Sequence, residues 1–320
     1  MTWRPNSTPE MARARAAMRE RAHRFFRARD VLEVTTPALA ATSTPDVNIE
    51  SIRAVAGERE GFLHTSPEHF MKRLLAAGYP DIYQVCRVFR DGEAGRHHLP
   101  EFTMLEWYRI GLSLDEIMTE SADLVSDLLV NTPLAPTEYR EYREAFETVL
   151  GIDPLTAEPG DIARAMGADE ALENALGNDR DTWLDLAVAE KVAHGFPGDR
   201  LTALYHYPAS QAALARLSGA DPRVAERFEL YLGPMELANG FVELTDSGEQ
   251  AERFRRDLDK RAALGRPPVP LDHQLLAALA SGMPACAGVA LGLDRLLMID
   301  QGLDDVKKTV TFTPGVTDDD

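Results

Sequence analysis

Apolar and polar positions follow two rhythms along this chain, and each change of rhythm marks an element. Ser7-Thr8-Pro9-Glu10 offers a capping-box spacing and a proline suited to a first helical turn, after which Met11, Met18, Ala22, Phe25 and Phe26 recur at helical intervals. A long amphipathic helix over residues 7–29 is predicted. It runs into Arg29-Asp30-Val31-Leu32-Glu33-Val34-Thr35-Thr36-Pro37, a short strand halted by proline. After a loop at Ala40–Val47, Phe62-Leu63-His64-Thr65-Ser66-Pro67-Glu68 reads as a strand leading into a helix at His69–Ala77.

Two strand-type runs, Ile82–Phe89 and Phe102–Arg109, flank a polar, glycine-containing segment, the pattern of an antiparallel hairpin with a long loop. Strand parity puts Phe102, Met104, Glu106 and Tyr108 on one face and Thr103, Leu105, Trp107 and Arg109 on the other. An aromatic ring, a thioether, a carboxylate and a phenol make a poor packing face. They suit a surface that grips a heterocycle at one end and an ammonium group at the other.

From Leu112 to about Arg200 the chain is rich in Ala, Leu, Asp and Glu with Pro and Gly punctuation, and helices are expected at about Leu114–Val130, Glu138–Leu150, Gly160–Met166 and Arg180–Ala193. His194 and His206 stand singly in apolar company and read as structural. Thr202–Tyr207 and Val224–Leu232 read as strands, and Gly233-Pro234 turns the chain into Met235–Leu244, where Leu237, Asn239, Phe241 and Glu243 are expected to share a face. A buried amide and carboxylate there would each cost roughly 1–3 kcal/mol if unpaired, so polar partners are expected. A helix at Ser247–Leu264, a stiff linker Arg266–Pro270 and a helix near Leu271–Gly282 precede Cys286–Met298, a glycine-spaced strand turning into a helix opened by Arg295. Asp304–Asp320 reads as a tail with a frayed Asp318–Asp320 end.

At 320 residues, 44% hydrophobic and 27% charged, the chain is an ordinary globular one, read as a single domain over residues 1–320. A net charge of −18 argues against broad nucleic-acid binding, which needs clustered Lys and Arg. Cys86 and Cys286 have no metal or disulfide spacing and suit a reducing cytosol, and neither a leader nor a membrane-spanning run is read.

Arg90, Glu93, Arg96, His97 and His98 put cations and donors beside the aromatic face, either for a phosphate-bearing nucleotide or as a solvated loop tip. Ser66 and Glu68 flank a proline where side chains commonly face a cleft, although Glu68 also reads as an acid favoured by a helix dipole. Glu229 and Glu236 flank a turn and are expected across the hairpin from each other, sharing a divalent cation with phosphates or standing as solvated edge acids.

FRDGEAGRHHLPEFTMLEWY resembles motif 2 of class II aminoacyl-tRNA synthetases in the form of the lysyl branch. It is closer still to the family of short lysyl-synthetase paralogues that modify elongation factor P. The helix, strand and proline before residue 39 resemble motif 1, FELYLGPMELANGFVELTD resembles the lysyl branch, and residues 286–300 resemble motif 3. The resemblance covers almost the whole chain. It implies an α+β fold, the class II synthetase catalytic domain, an antiparallel β-sheet flanked by helices. Motif 1 lies at about 20–39, motif 2 at about 82–109, a helical insertion at about 112–200, and no OB-type anticodon-binding barrel precedes motif 1. It also implies a homodimer through motif 1.

The chemistry implied by the resemblance is ATP-dependent activation of a lysine-type amino acid as an adenylate, with Mg²⁺, and transfer to a lysine of elongation factor P. Arg90 would stabilise charge at the α-phosphate, Arg295 would grip the terminal phosphate and Phe102 would stack the adenine. Asp91, Gly92, His98, Leu99, Glu236, Leu237 and Gly292 would complete the ATP site, and Glu229 and Glu236 would hold the metal. Ser66, Glu68, Glu106, Tyr108, Asn239, Glu243 and Ala290 would form the amino-acid site. Glu68 would take the reacting-end amine, and Glu106 and Glu243 the distal one.

Three departures stand out. Leu99 replaces the usual Asn, Gly92 replaces an acid, and Ala290 replaces a glycine of the lysyl synthetases, which is expected to favour (R)-β-lysine. Transfer RNA is the disfavoured acceptor. A tRNA-acylating enzyme and a synthetase-like regulatory subunit without chemistry are the competing readings.

Overall fold

The computed structural model describes residues 3–313; the Asp318–Asp320 end read as frayed lies outside the described residues. Helix α1 (Pro9–Arg27) starts as its sequence asks, except that its cap is Thr8 rather than Ser7. The Thr8 hydroxyl accepts the Met11 N–H at 3.4 Å. Met18, Ala22, Phe25 and Phe26 form the buried stripe. Asp30, at φ 56°, then turns the chain into the two-residue strand β1 (Leu32–Glu33).

A small antiparallel sheet follows in the order β2-β4-β3, made of β2 (Leu39–Ala40), β3 (Arg53–Ala56) and β4 (Arg59–Leu63). Strands β2 and β3 lie outside the expected elements. Both are short and lack a buried residue, so their sequence shows no apolar alternation. After α2 (Glu68–Ala76), the expected hairpin forms from β5 (Ile82–Phe89) and β6 (Glu101–Ile110), with Gln84 opposite Glu106 and Val88 opposite Phe102. Phe26 of α1 stacks on Tyr83 with ring centroids 4.5 Å apart and lies 5.6 Å from Trp107, so α1 covers the Trp107 face of the hairpin. The Glu106 face is the opposite one.

Helix α3 (Leu114–Leu128) leads to β7 (Ala135–Glu141), α4 (Tyr142–Leu150), α5 (Pro159–Met166), α6 (Glu170–Leu176) and α7 (Arg180–Ala187). The helix expected from Glu138 starts only at Tyr142, because Ala135–Glu141 pairs in parallel with β8 (Arg200–Tyr205). The helix expected to reach Ala193 ends at Ala187 and continues as a wider turn and a tighter one. The chain closes with β9 (Arg227–Leu232), β10 (Met235–Val242), α8 (Ser247–Ala263), α9 (His273–Ala280), β11 (Cys286–Gly292) and α10 (Leu293–Asp300).

The chain separates into two compact units, the first from residues 3–112, 123–132 and 245–313, the second from 113–122 and 133–244. In the first, β1-β5-β6-β11 are hydrogen-bonded in that order, antiparallel except for β1 with β5. In the second, β10-β9-β8-β7 are ordered likewise, antiparallel except for β7 with β8. The second unit's core joins Tyr142, Phe146, Ile162, Trp183 and Val192 of the insertion to Leu204, Tyr207 and Tyr231, so the insertion packs on the strands that carry the acids. His194 and His206 are not in apolar company: His194 is exposed, and His206, at φ 62°, pairs with Glu141 at 3.2 Å. Among the described residues no helix is long and apolar enough to cross a membrane.

Candidate active site

In the first unit, the strand-to-helix junction 63–68 and the hairpin bring four predicted residues together. The Ser66 hydroxyl accepts the Glu68 N–H and donates to Glu106 Oε2, both at 2.9 Å, and the Tyr108 hydroxyl donates to Glu106 Oε1 at 2.8 Å. Glu106 is 2% exposed. Burial, and after it the neighbouring Glu68 carboxylate, pushes its carboxyl up to about 8. Lys72 Nζ lies 2.7 Å from Glu68 Oε1, one helical turn on.

Ala290 of β11 is the register partner of Glu106, and paired residues of an antiparallel ladder point to the same face. Its methyl group therefore stands beside the buried carboxylate. Gly292, opposite Met104, ends β11 and starts α10.

The nucleotide candidates cluster around the hairpin loop. Arg90 lies over the Phe102 ring, 5.1 Å from its centroid, and 3.5 Å from Glu93. Its buried Nε has no hydrogen-bond partner among the described residues, a donor left for an anion. Arg295 donates from Nε to the His97 carbonyl at 3.3 Å and from Nη2 to His98 Nε2 at 2.7 Å. Burial first, and then Arg295, lowers the proton affinity of His98, which favours the neutral ring as acceptor.

Asp91 and Gly92 are exposed, and Gly92 has φ +75°. Glycine adopts that left-handed backbone without strain, which suits the Gly92 departure. Leu99 is 2% exposed, so it belongs to the core.

Helix α10 is anchored from behind. Asp294, 2% exposed, accepts the Thr103 N–H at 2.7 Å and pairs with Arg15 of α1 at 2.5 Å.

In the second unit, the structure corrects the acid pair. Glu229 is opposite Asn239 and Glu236 opposite Tyr231, so the two acids are not opposite each other. The cause is the register set by the turn, which pairs Met235 with Leu232 and Glu236 with Tyr231 and leaves Glu229 two positions further along; a β-bulge between Glu236 and Ala238 then takes Leu237 out of the ladder and sets Asn239 opposite Glu229. It also breaks the expected Leu237, Asn239, Phe241 face. Glu236 and Asn239 instead share a face with Tyr231 and Glu229, while Leu237 is buried and its backbone is left unmatched.

Glu229 is 8% exposed and crowded by donors. Arg227 Nη2 at 2.7 Å and Asn239 Nδ2 at 3.4 Å reach Oε1; the Tyr207 hydroxyl at 2.6 Å and that of Tyr231 reach Oε2. Both phenols are held well above their ordinary range, by burial first and Glu229 next, so they remain donors. Asn239 Oδ1 is buried with no hydrogen-bond partner among the described residues, and Glu243 is 2% exposed beyond the end of β10.

Lys72, Arg227, Tyr207, Tyr231, Arg15 and Asp294 are the site neighbours that sequence reasoning missed. For three of them a signal existed. Lys72 follows Glu68 by four on a helix, and Arg227 and Tyr231 flank Glu229 by two on a strand.

An antiparallel-dominated sheet with a motif-bearing hairpin, and a glycine-ended strand running into an arginine-bearing helix, defines the class II synthetase catalytic fold. The chain belongs to that family: the model described as "tRNA synthetases class II (D, K and N)" matches residues 1–315. Within it, the chain is 45% identical to proteins called "Elongation factor P--(R)-beta-lysine ligase" from Salmonella gallinarum, Salmonella agona and Salmonella enteritidis, over 98% of this chain and 97% of theirs.

Proposed function

We propose that this chain activates a lysine-type amino acid with ATP, preferring (R)-β-lysine, and transfers it to a lysine side chain of elongation factor P. The observation that carries the reading is the buried Glu106, held by Ser66 and Tyr108 beside Ala290, on the same hairpin whose loop bears Arg90 and holds Arg295. A carboxylate so placed selects an ammonium-bearing substrate, and arginines so placed suit a polyphosphate.

In the first step a substrate carboxylate oxygen attacks the α-phosphorus of ATP, and the bond to the β-phosphate oxygen breaks to release pyrophosphate. Arg90 offers its Nε and guanidinium charge to the α-phosphate oxygens, where negative charge grows. Arg295, oriented by His97 and His98, receives the departing phosphates. Phe102 offers a ring to the adenine, and Asp91, Gly92 and Gly292 line the nucleotide. In the second step the acceptor lysine amine attacks the acyl carbon. AMP leaves, a proton is lost and an amide bond forms.

In the first unit Glu68 takes the reacting-end amine and Glu106 and Tyr108 the distal one; in the second unit Glu243 offers a carboxylate to an ammonium and Asn239 its amide to a carboxylate. Magnesium fits Glu236, and fits Glu229 if the cation replaces its longest contact, the 3.4 Å bond from Asn239. When bound it neutralises phosphate oxygens.

The net charge of −18 favours a protein acceptor over tRNA, and the exposed Leu32, in the strand that follows α1, supports a homodimer through that region. The free thiols Cys86 and Cys286 suit the cytoplasm.

Exchange of labelled pyrophosphate into ATP tests the first step. Exchange that depends on a lysine isomer is expected. Its absence with both α- and β-lysine would leave a protein without this chemistry.

A further inference from the structure

A helical Glu-Lys pair four residues apart is usually a solvated surface contact worth little. The pair Glu68–Lys72 differs in burial. Lys72 is 1% exposed, and its ammonium is 2.7 Å from Glu68 Oε1. Lysine out of water needs a compensating charge, and the chain spends that position within the amino-acid site.

Two carboxylates surround this one cation. Glu68 is in direct contact, and Glu106 faces both from the hairpin, linked to Glu68 through the Ser66 hydroxyl. The other titratable groups nearby are Tyr108, donating to Glu106, and Cys86, which also faces Glu106. On the helix side stand Arg73 and His69, the latter paired at 3.0 Å with Asp272 of α9. With the Lys72 ammonium set against Glu68, Glu106 holds a proton that a further ammonium, brought by the substrate, can displace.

We infer that Lys72 is a positioning residue for amino-acid selection: its ammonium pairs with Glu68 and holds that carboxylate toward the reacting-end amine, leaving Glu106 to be met by the distal ammonium of a diamino acid. This rests on the amino-acid activation proposed above. It assigns the preference for a dibasic substrate to the charge balance of the pocket as well as to the acids that touch the substrate.

Removing the cation takes away the charge that favours an ionised Glu106, which then keeps its proton to still higher pH until a substrate ammonium displaces it. Lys72→Met is therefore expected to raise the KM for the lysine isomer on the order of 10- to 100-fold near pH 7. The defect should shrink as pH rises and the carboxylates ionise, with the KM for ATP unchanged. Lys72→Arg, which keeps the charge, should restore most of the affinity. A purely structural Lys72 would instead lower Tm and impair ATP and amino acid alike.

The test is amino-acid-dependent pyrophosphate exchange across pH for wild type, Lys72→Met and Lys72→Arg, with calorimetric binding of lysine and β-lysine alongside. A KM–pH profile in Lys72→Met parallel to wild type, or equal losses in Met and Arg variants, overturns the assignment. An inactive wild type would count against the activation reading alone, and calorimetry then decides the role of Lys72. If the Met variant does not fold, Lys72→Gln takes its place.

Discussion

Ala290 and Glu106 are register partners on adjacent antiparallel strands, so a single methyl group stands next to the buried carboxylate of the candidate amino-acid site. In an antiparallel ladder such partners have Cβ atoms roughly 4.5–5.5 Å apart, close enough for the methyl to set how a substrate chain passes the carboxylate. One methyl changes discrimination by about 1–3 kcal/mol. Ala290→Gly is therefore expected to shift the ratio of kcat/KM for β-lysine over α-lysine toward α-lysine by about 10-fold or more, with the KM for ATP unchanged. An unaltered ratio would remove Ala290 from substrate choice.

Glu106 gives the protein a pH signature. Its folded-state carboxyl is raised to about 8, so the unliganded fold binds a proton there that the unfolded chain releases near its ordinary value. This contribution to stability is complete below that ordinary value and is lost as pH climbs through about 8. Urea unfolding of wild type and Glu106→Gln between acid and alkaline pH should show the wild type weakening more steeply. Parallel curves would place the proton elsewhere.

Arg295 is held by two acceptors of the hairpin loop, the His97 carbonyl and His98 Nε2. Lysine keeps the charge but not the planar fork. Arg295→Lys is expected to lower the rate of pyrophosphate exchange by about 10²-fold, the order found for loss of one transition-state donor. Amino-acid binding measured by calorimetry should be unaffected.

Arg15 supports the same region from behind through Asp294, whose side chain is 3% exposed against 21% for Arg15. A broken buried pair costs about 3–5 kcal/mol, and the partial exposure of Arg15 reduces this to about 1–3 kcal/mol. Arg15→Met should lower unfolding stability by that amount in a denaturant titration, and raise the KM for ATP, since α10 carries Arg295. A stability loss without an ATP effect would confine Arg15 to the fold.

The hairpin was legible in the sequence because strand parity and turn chemistry are both local: the bounds of β5, the face that Glu106 shares with Tyr108 and their separation from Trp107 follow from alternation alone. The family resemblance was legible for the same reason, since its motifs are contiguous. Long-range pairing was not. β7 is strand because β8 lies beside it, and the bulge at Leu237 moved Glu236 onto the Asn239 face, which no reading of strict alternation shows. Lys72 escaped because burial decides its meaning and a helical Glu-Lys spacing does not reveal burial.

The most direct test of the proposed activity is the mass of elongation factor P after incubation with this protein, ATP and either α-lysine or (R)-β-lysine, with tRNA acylation followed in parallel. The expected result is a mass gain of one lysyl group on the protein, larger with (R)-β-lysine, and no acylated tRNA. An unmodified elongation factor P with both isomers, while tRNA becomes acylated, would contradict it.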